Sequence, residues 1–475
     1  MSYGIYIGKN HAASGHAWLA GYGDEPSSHW LELVPRTSHA PGSTIVVGVT
    51  PQAAMPGELS EIPQLSETAR HLRVSYSHYL GLPAPLTNGG LNEHGVAVRD
   101  IWSGSRAELI AMTPTSQKGP NYSDLSRIVL ERAHTAREGV EIIAALIGEY
   151  GYSCYGGNSH IIADPDEAWV VIEFSGGLGL WAAERLGPDS IRASRPGYIG
   201  VIPSEPTEDF LFPEHFIRTA VDLGWYGPAQ GAFDVNAIFG DGKHQWAGRS
   251  WIEQEMQRRA ARPEKIGFAD VVWSIATEKL TGDTAGYGQV VPLVHPAFNE
   301  MRVMWHAPVG PVVAPLVPIF MGMTGVPGEY GMHRYLTEGE AARFQDMRKA
   351  IQRPDAVSHV PQGVEITRSA AQIFKQLMHA VFQDAEATLS MVGEQWRAYE
   401  SALAAELPAV LRSAEILISA NEPKLANRLL TDFSITRLRS SLSLAEPMLR
   451  ALEARLTLLG RLNLTTAHRA PEQIW

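Results

Sequence analysis

A chain of 475 residues, 45% hydrophobic and 19% charged, has the composition of an ordinary globular protein, with room for one large core or two to three domains. Its formal charge of -12 is spread without acidic blocks, and no Lys/Arg cluster offers a phosphate-tracking face, which argues against nucleic acid as a partner. A single cysteine, Cys154, rules out an internal disulfide and points to a reducing, cytoplasmic compartment.

The first thirty residues carry Lys9, His11, His16, Asp24 and Glu25 where an export signal would need a basic start and an apolar run. To about residue 200 the pattern is strand-like, in "GIYIG", "STIVVGV", "GVAVRDIW", "SHIIAD" and "AWVVIEF", with Gly, Pro and Asp between. Residues 122–151 interrupt it with helical spacing: Leu125, Ile128, Val129 and Arg132, then Val140, Ile143, Ala144 and Ile147. Gly151 is the expected stop, and Gly139 the expected junction of two helices.

Residues 200–330 read as mixed structure, with helices expected in "DFLFPEHFIRTAVDLGW" and "SWIEQEMQRRAAR". The apolar stretch 309–326 is broken by Pro311, Pro315 and Pro318, so it reads as buried strands and turns rather than a membrane helix. From Glu338 the pattern is almost wholly helical: "EAARFQDMRKAI", the long run beginning "ITRSAAQIF", and "LSLAEPMLRALEARLTLLG". Two regions are therefore expected, a core over 1–335 and a mainly helical region over 336–475 packed on it.

Phosphate-loop, zincin, dithiol and GxSxG signatures are all absent. His160 and His94 are candidate metal ligands, but nothing supplies a third at recognisable spacing, and no metal or organic cofactor is expected. Cys154 in "GYSCYGG" lacks a nearby His and reads as a small buried hydrophobe.

The segments "SYGIYIGKN", "GDEPSSHWLELVPRTSH", "NGGLNEHGVAV", 127–152 and "NSHIIADPDEAWVVIE" occur in an order that resembles the PepD/secernin dipeptidase family, as does the later Trp- and Pro-rich 304–330. That resemblance implies an α+β fold, the four-layer αββα sandwich of the N-terminal nucleophile hydrolases, here with an extended helical C-terminal region. It implies a dipeptidase-like amidohydrolase whose first mature residue attacks the scissile carbonyl while its own α-amine takes the proton. An α-amine titrates near 7.7 to 8, close to working pH, and a Ser hydroxyl is inert without such a base.

By this resemblance Ser2, once Met1 is removed, stands where the family usually has a Cys nucleophile. Asp24 matches an acidic residue that orients the amine, although in "GDEP" it also suits a turn. Asn158 and Asn92 fit as oxyanion donors, each worth on the order of 3 kcal/mol when preorganised; the alternatives are a strand-entry Asn and a left-handed turn Asn. Arg99 and Arg195 would pair with a substrate carboxylate, or else form surface ion pairs. Position 21, commonly a cation in the family, is Gly, and Tyr22 replaces a usual Asn beside the substrate. The expected partner is a small peptide or amide, with neither nucleic acid nor membrane, and a homo-oligomer stays open. Two other functions stay open as well: acyl transfer to an amine, and a non-catalytic binding or scaffold protein.

Overall fold

A computed structural model describes residues 2–24, 28–76, 79, 81–195, 197–242, 247–332 and 368–461. It is a mixed α/β protein built on two antiparallel sheets with helices against them. The strands of these two sheets are β1 (Tyr3–Ile7), β2 (Ala17–Tyr22), β3 (His29–Val34), β4 (His71–Tyr76), β5 (Leu86–Asn92), β6 (Ala97–Trp102) and β7 (Asn158–Ala163), then β8 (Ala168–Glu173), β9 (Trp181–Leu186), β10 (Ile191–Ser194), β11 (Phe210–Leu211), β12 (Gly288–Leu293), β13 (Val303–Ala307) and β14 (Val317–Phe320). The six-stranded sheet runs β10-β1-β2-β12-β13-β14, and the eight-stranded sheet β11-β9-β8-β7-β6-β5-β4-β3.

Alternation along the strands explains how both faces of the larger sheet are covered. Ile161, Val170, Ile172 and Ala182 join one apolar cluster with β1, β2 and β12, whereas Ile162, Trp169, Val171 and Ala183 join another with the helices over 122–150. A strand buried on both faces reads as a continuous apolar run, as "AWVVI" does. The sheets lie close at Gly4, where a Cβ would stand 2.8 Å from Ile101 Cδ1 and 3.1 Å from Ile161 Cδ1, so a side chain there would displace both isoleucines.

Helices α1 (Tyr122–Arg132) and α2 (Ala136–Tyr150) pack on the eight-stranded sheet, while α3 (Ala247–Ala260) and α4 (Phe268–Ala276) pack on the six-stranded one. The junction between α1 and α2 is not at Gly139, as the sequence suggested, but at Ala133–Thr135. Thr135 caps α2 by accepting from Glu138 N at 3.1 Å, and Gly139 lies inside that helix. A capping hydroxyl outweighs the weak helix-breaking tendency of one glycine. Gly151, with φ +87°, does end α2.

The stretch 304–330 contributes β13 and β14, fully buried, as its prolines implied. "DFLFPEHFIRTAVDLGW" divides into the edge strand β11 and a short helix, Phe216–Asp222. The long C-terminal run divides into α5 (Ala370–Phe382) and α6 (Ala385–Ser419), followed by α7 (Pro423–Leu458), and α6 and α7 pack on β14. "EAARFQDMRKAI" lies outside the described residues. Among the described residues no helix is long and apolar enough to cross a membrane.

Candidate functional site

The β1–β2 hairpin sets the register of the expected nucleophile. Tyr3 pairs with Tyr22, so Ser2 and Asp24 lie one and two residues beyond the last paired rung of the same hairpin end. Both are buried, at 6% and 3% exposure. Asp24 Oδ1 accepts from Thr284 Oγ1 at 2.8 Å, and the backbone beside it is fixed on both sides, with Gly23 N donating to Tyr287 O and Gly286 N to Gly23 O.

Beneath this end runs Arg99, from β6 of the other sheet. Its side chain passes the Gly4–Gly21 rung, and a Cβ on Gly21 would lie 3.1 Å from Arg99 Nε. Nη2 donates to Tyr22 O at 2.7 Å; Nη1 lies within reach of Tyr287 Oη, Asn88 O, Asp100 Oδ1 and Asn88 Oδ1. Where position 21 lacks a cationic side chain, a guanidinium thus enters from the facing sheet. Arg99 has no exposure and Arg195 only 2%, so neither forms a surface ion pair. Arg195 Nη1 donates to Tyr22 Oη and Leu280 O, and burial pushes its guanidinium below the ordinary Arg range despite Tyr22 and Tyr3 beside it.

Tyr22 is itself internal. Its hydroxyl donates to Leu280 O at 2.5 Å, and burial raises its pKa against the opposing pull of Arg195. Tyr3 stacks at 5.4 Å on Tyr22, and burial foremost holds its phenol well above the usual value. These two rings and Arg195 lie on the opposite face of β1 and β2 from Arg99, so the hairpin end is clamped from above and below.

Both asparagines turn to the helix-facing side of the larger sheet. Asn92 turns its amide to the helix side, donating to Leu130 O and Ala133 O while its Oδ1 accepts from His94 N and Val96 N. Both hydrogens of the Asn92 amide are thus spent on holding α1 against the β5–β6 turn, and Asn92 ends β5 without the left-handed backbone that its alternative reading expected. Asn158 starts β7 with its Oδ1 accepting from Tyr155 Oη and its Nδ2 3.1 Å from Ser159 O. It shares its strand parity with His160, whose ring meets α1, so its amide belongs to the helix-facing side of β7.

Ser126, His160 and Glu173 have the order of a nucleophile–base–acid relay, with Ser126 Oγ 3.1 Å from Nε2 and Glu173 Oε1 2.7 Å from Nδ1. Yet Nε2 also faces the carbonyl of Tyr122 at 3.1 Å, which can only accept, so both ring nitrogens carry protons. Burial opposes that charge, and the adjacent Glu173 outweighs it, raising the His160 pKa. A doubly protonated ring cannot take a proton from Ser126; the pair ties α1 to β7 and β8. His94 stacks on His134 instead, and among the described residues no three His, Cys, Asp or Glu side chains gather as a metal site. Cys154 is buried, its amide donating to Gln117 Oε1.

An open cavity of about 670 Å³ lies at the far end of β1, lined by Lys9, Asn10, Glu264 and Lys265, away from the hairpin end that carries Ser2.

Residues 83–267 match the Peptidase family C69 model. That stretch contains Arg99, Asn158 and Arg195 but neither Ser2 nor Asp24. Two curated relatives, both named Probable dipeptidase B, come from Streptococcus pyogenes serotype M1 and serotype M3 (strain ATCC BAA-595 / MGAS315). Each is 29% identical over 149 residues, covering 31% of this chain and 29% of the relative. The matched region is thus under a third of those proteins' length. Over this region the chain is similar to Peptidase family C69 and to proteins named dipeptidase B. Two solved structures of conjugated bile acid hydrolase from Clostridium perfringens, each carrying a different single substitution, give TM-scores of 0.30 and 0.31 at 10% and 11% identity. They cover 68% and 67% of this chain and 92% of each of theirs. At such scores neither likeness bears on the fold or the chemistry.

The sequence marked Arg99 as a candidate but did not place it inside the protein. Arg99 reads there as a surface or substrate cation, though the signal lay in "VAVRDIW": a cation on the same strand face as Ala97 and Ile101 must be buried and fully paired.

Proposed function

We propose that the protein is an amide hydrolase of dipeptidase type in which Ser2, exposed as the first residue by removal of Met1, is the nucleophile. The register that sets Ser2 and Asp24 at one buried hairpin end is the observation that carries this reading. The helix–sheet–sheet–helix stacking is then the αββα arrangement of N-terminal nucleophile hydrolases, with the helical region from 336 onward an extension of its core.

In the first half-reaction Ser2 Oγ bonds to the amide carbon, the carbonyl electron pair moves to oxygen, and the α-amine takes the hydroxyl proton. Collapse re-forms the carbonyl, breaks the C–N bond and returns the proton to the leaving amine. Water then repeats the sequence on the ester and frees Ser2. Asp24, held by Thr284, steadies the charged amine electrostatically.

Incubation of purified protein, its N-terminus verified by intact mass, with a panel of dipeptides tests the reading. Wild type should release free amino acids, and Ser2→Ala should reduce turnover by at least about 1000-fold, the scale at which loss of a nucleophile removes covalent catalysis. Equal turnover of the two, or retention of Met1 in an active protein, would remove Ser2 from the mechanism.

A further inference from the structure

The eight-stranded sheet is irregular at one place next to this hairpin end. Val74 pairs with Gly89 and Ser75 with Thr87, leaving Asn88 as the extra residue of a bulge. A bulge re-aims the side chain it carries, and Asn88 is turned toward Arg99. Because a guanidinium only donates, the contact with Nη1 fixes Oδ1 as the end of the amide that faces Arg99. The amide's other end must then point away from the guanidinium.

That other end is unspent. Asn88 has no exposure, and its Nδ2 has no hydrogen-bond partner among the described residues. Buried amide donors are nearly always satisfied, so one held in a fixed orientation without a protein acceptor is available to water or to a ligand atom. Its neighbours show which. The same guanidinium that grips Oδ1 donates to Tyr22 O, and Tyr22 pairs with Tyr3, one residue from Ser2. Tyr287, which touches Arg99 through its hydroxyl, accepts from Gly23 N beside Asp24 through its carbonyl. One guanidinium therefore separates the Asn88 amide from the end of the strand that bears the nucleophile.

We propose that Asn88 Nδ2 is the donor to the substrate's carbonyl oxygen and to the oxyanion that forms on it, the role Asn92 cannot fill. This inference rests on the Ser2 mechanism above. Arg99 is the positioning residue: it locks Oδ1, so Nδ2–H needs no reorganisation when negative charge develops on the substrate oxygen.

Asn88→Asp separates the donor from the scaffold, since the carboxylate keeps an oxygen on Arg99, removes the N–H, and sets its added charge against the guanidinium. Steady-state hydrolysis of the best dipeptide from the panel should show kcat down about 100-fold or more with KM within a few-fold of wild type. The thermal midpoint should be unchanged, and Asn88→Ala should lose at least as much kcat. A kcat within about threefold of wild type in Asn88→Asp, with Ser2→Ala inactive, would overturn the assignment to Asn88 and leave the nucleophile standing. Activity equal in wild type and Ser2→Ala would instead remove the mechanism and this donor together. A fall confined to thermal stability, with kcat preserved at a temperature where the variant is folded, would make Asn88 a purely structural residue.

Discussion

Arg99 carries a full charge into a region without solvent exposure, and its acceptors come from both sheets: Asn88, Asp100, Tyr287 and the Tyr22 carbonyl. A buried ion pair adds little over a hydrophobic pair of equal shape, but removing one partner strands the other. Arg99→Met should therefore destabilise the fold by roughly 3–5 kcal/mol, because it takes a buried guanidinium away from the Asp100 carboxylate and from the Asn88 and Tyr22 oxygens. Urea unfolding followed by intrinsic fluorescence measures this; a loss below about 1 kcal/mol would mean that water enters to solvate Asp100. The same substitution frees the Asn88 amide to rotate, so activity should fall even at urea concentrations where the variant remains folded. Arg195, donating to Tyr22 Oη and Leu280 O with its pKa lowered by burial, performs the matching task on the opposite face of the hairpin.

At the scale of elements, the first turn of α1 is fixed to the loop at Gly48. Asn121 accepts from Ser123 N and Asp124 N at 2.9 and 3.0 Å and donates to Gly48 O at 2.7 Å, while Asp124 accepts from Asn121 N and Gly48 N. Asn121→Ala removes the cap and leaves the Gly48 carbonyl unpaired, an expected cost of about 2 kcal/mol read as a lower urea midpoint. An unchanged midpoint would show that Asp124 alone closes the helix end. Elements of this kind were legible in the sequence wherever a local rule decided them: the strands "GIYI", "AVRDIW" and "AWVVIE", the stop at Gly151, and the strands among the prolines of 304–330 all follow from period and turn chemistry. What was not legible depends on contacts between distant segments. The bulge at Asn88 exists only because β4 and β5 pair out of step, and the sequence "TNGG" reads equally well as a turn. The loss of Asn92 to a structural role, likewise, depends on where the carbonyls of Leu130 and Ala133 fall. Thr135 carries a cap signal four residues before Gly139, and the hydroxyl rather than the glycine marks the start of α2.

For the molecule as a whole, the seam between the C-terminal helices and the sheet edge includes a buried carboxyl group. Glu400 on α6 is 3% exposed, and its Oε1 accepts from Leu316 N at 2.9 Å, immediately before β14. Burial raises its pKa to about 8, more than the Leu316 amide and the charge of Arg397 pull it down. The folded chain therefore holds a proton on Glu400 that the unfolded chain, with an ordinary carboxylate pKa near 4.3, has released by neutral pH. Between those two values the folded state binds more protons than the unfolded state, so stability falls as pH rises. The contribution is fully present below about pH 4 and is lost through about pH 8. The loss follows from ionising a carboxylate between a helix and a strand where no solvent reaches it. Glu400→Gln keeps the oxygen that accepts from Leu316 N and cannot ionise. Its thermal midpoint, measured from about pH 5 to pH 9, should therefore gain steadily on wild type across that range. The gain should level off above the folded pKa, where Glu400 is ionised in both states and the penalty no longer changes. A difference between the two proteins that stays constant over the whole range would mean that Glu400 ionises at an ordinary pKa. It would then have to be solvated, and α6 would meet β14 less closely than the 2.9 Å contact requires.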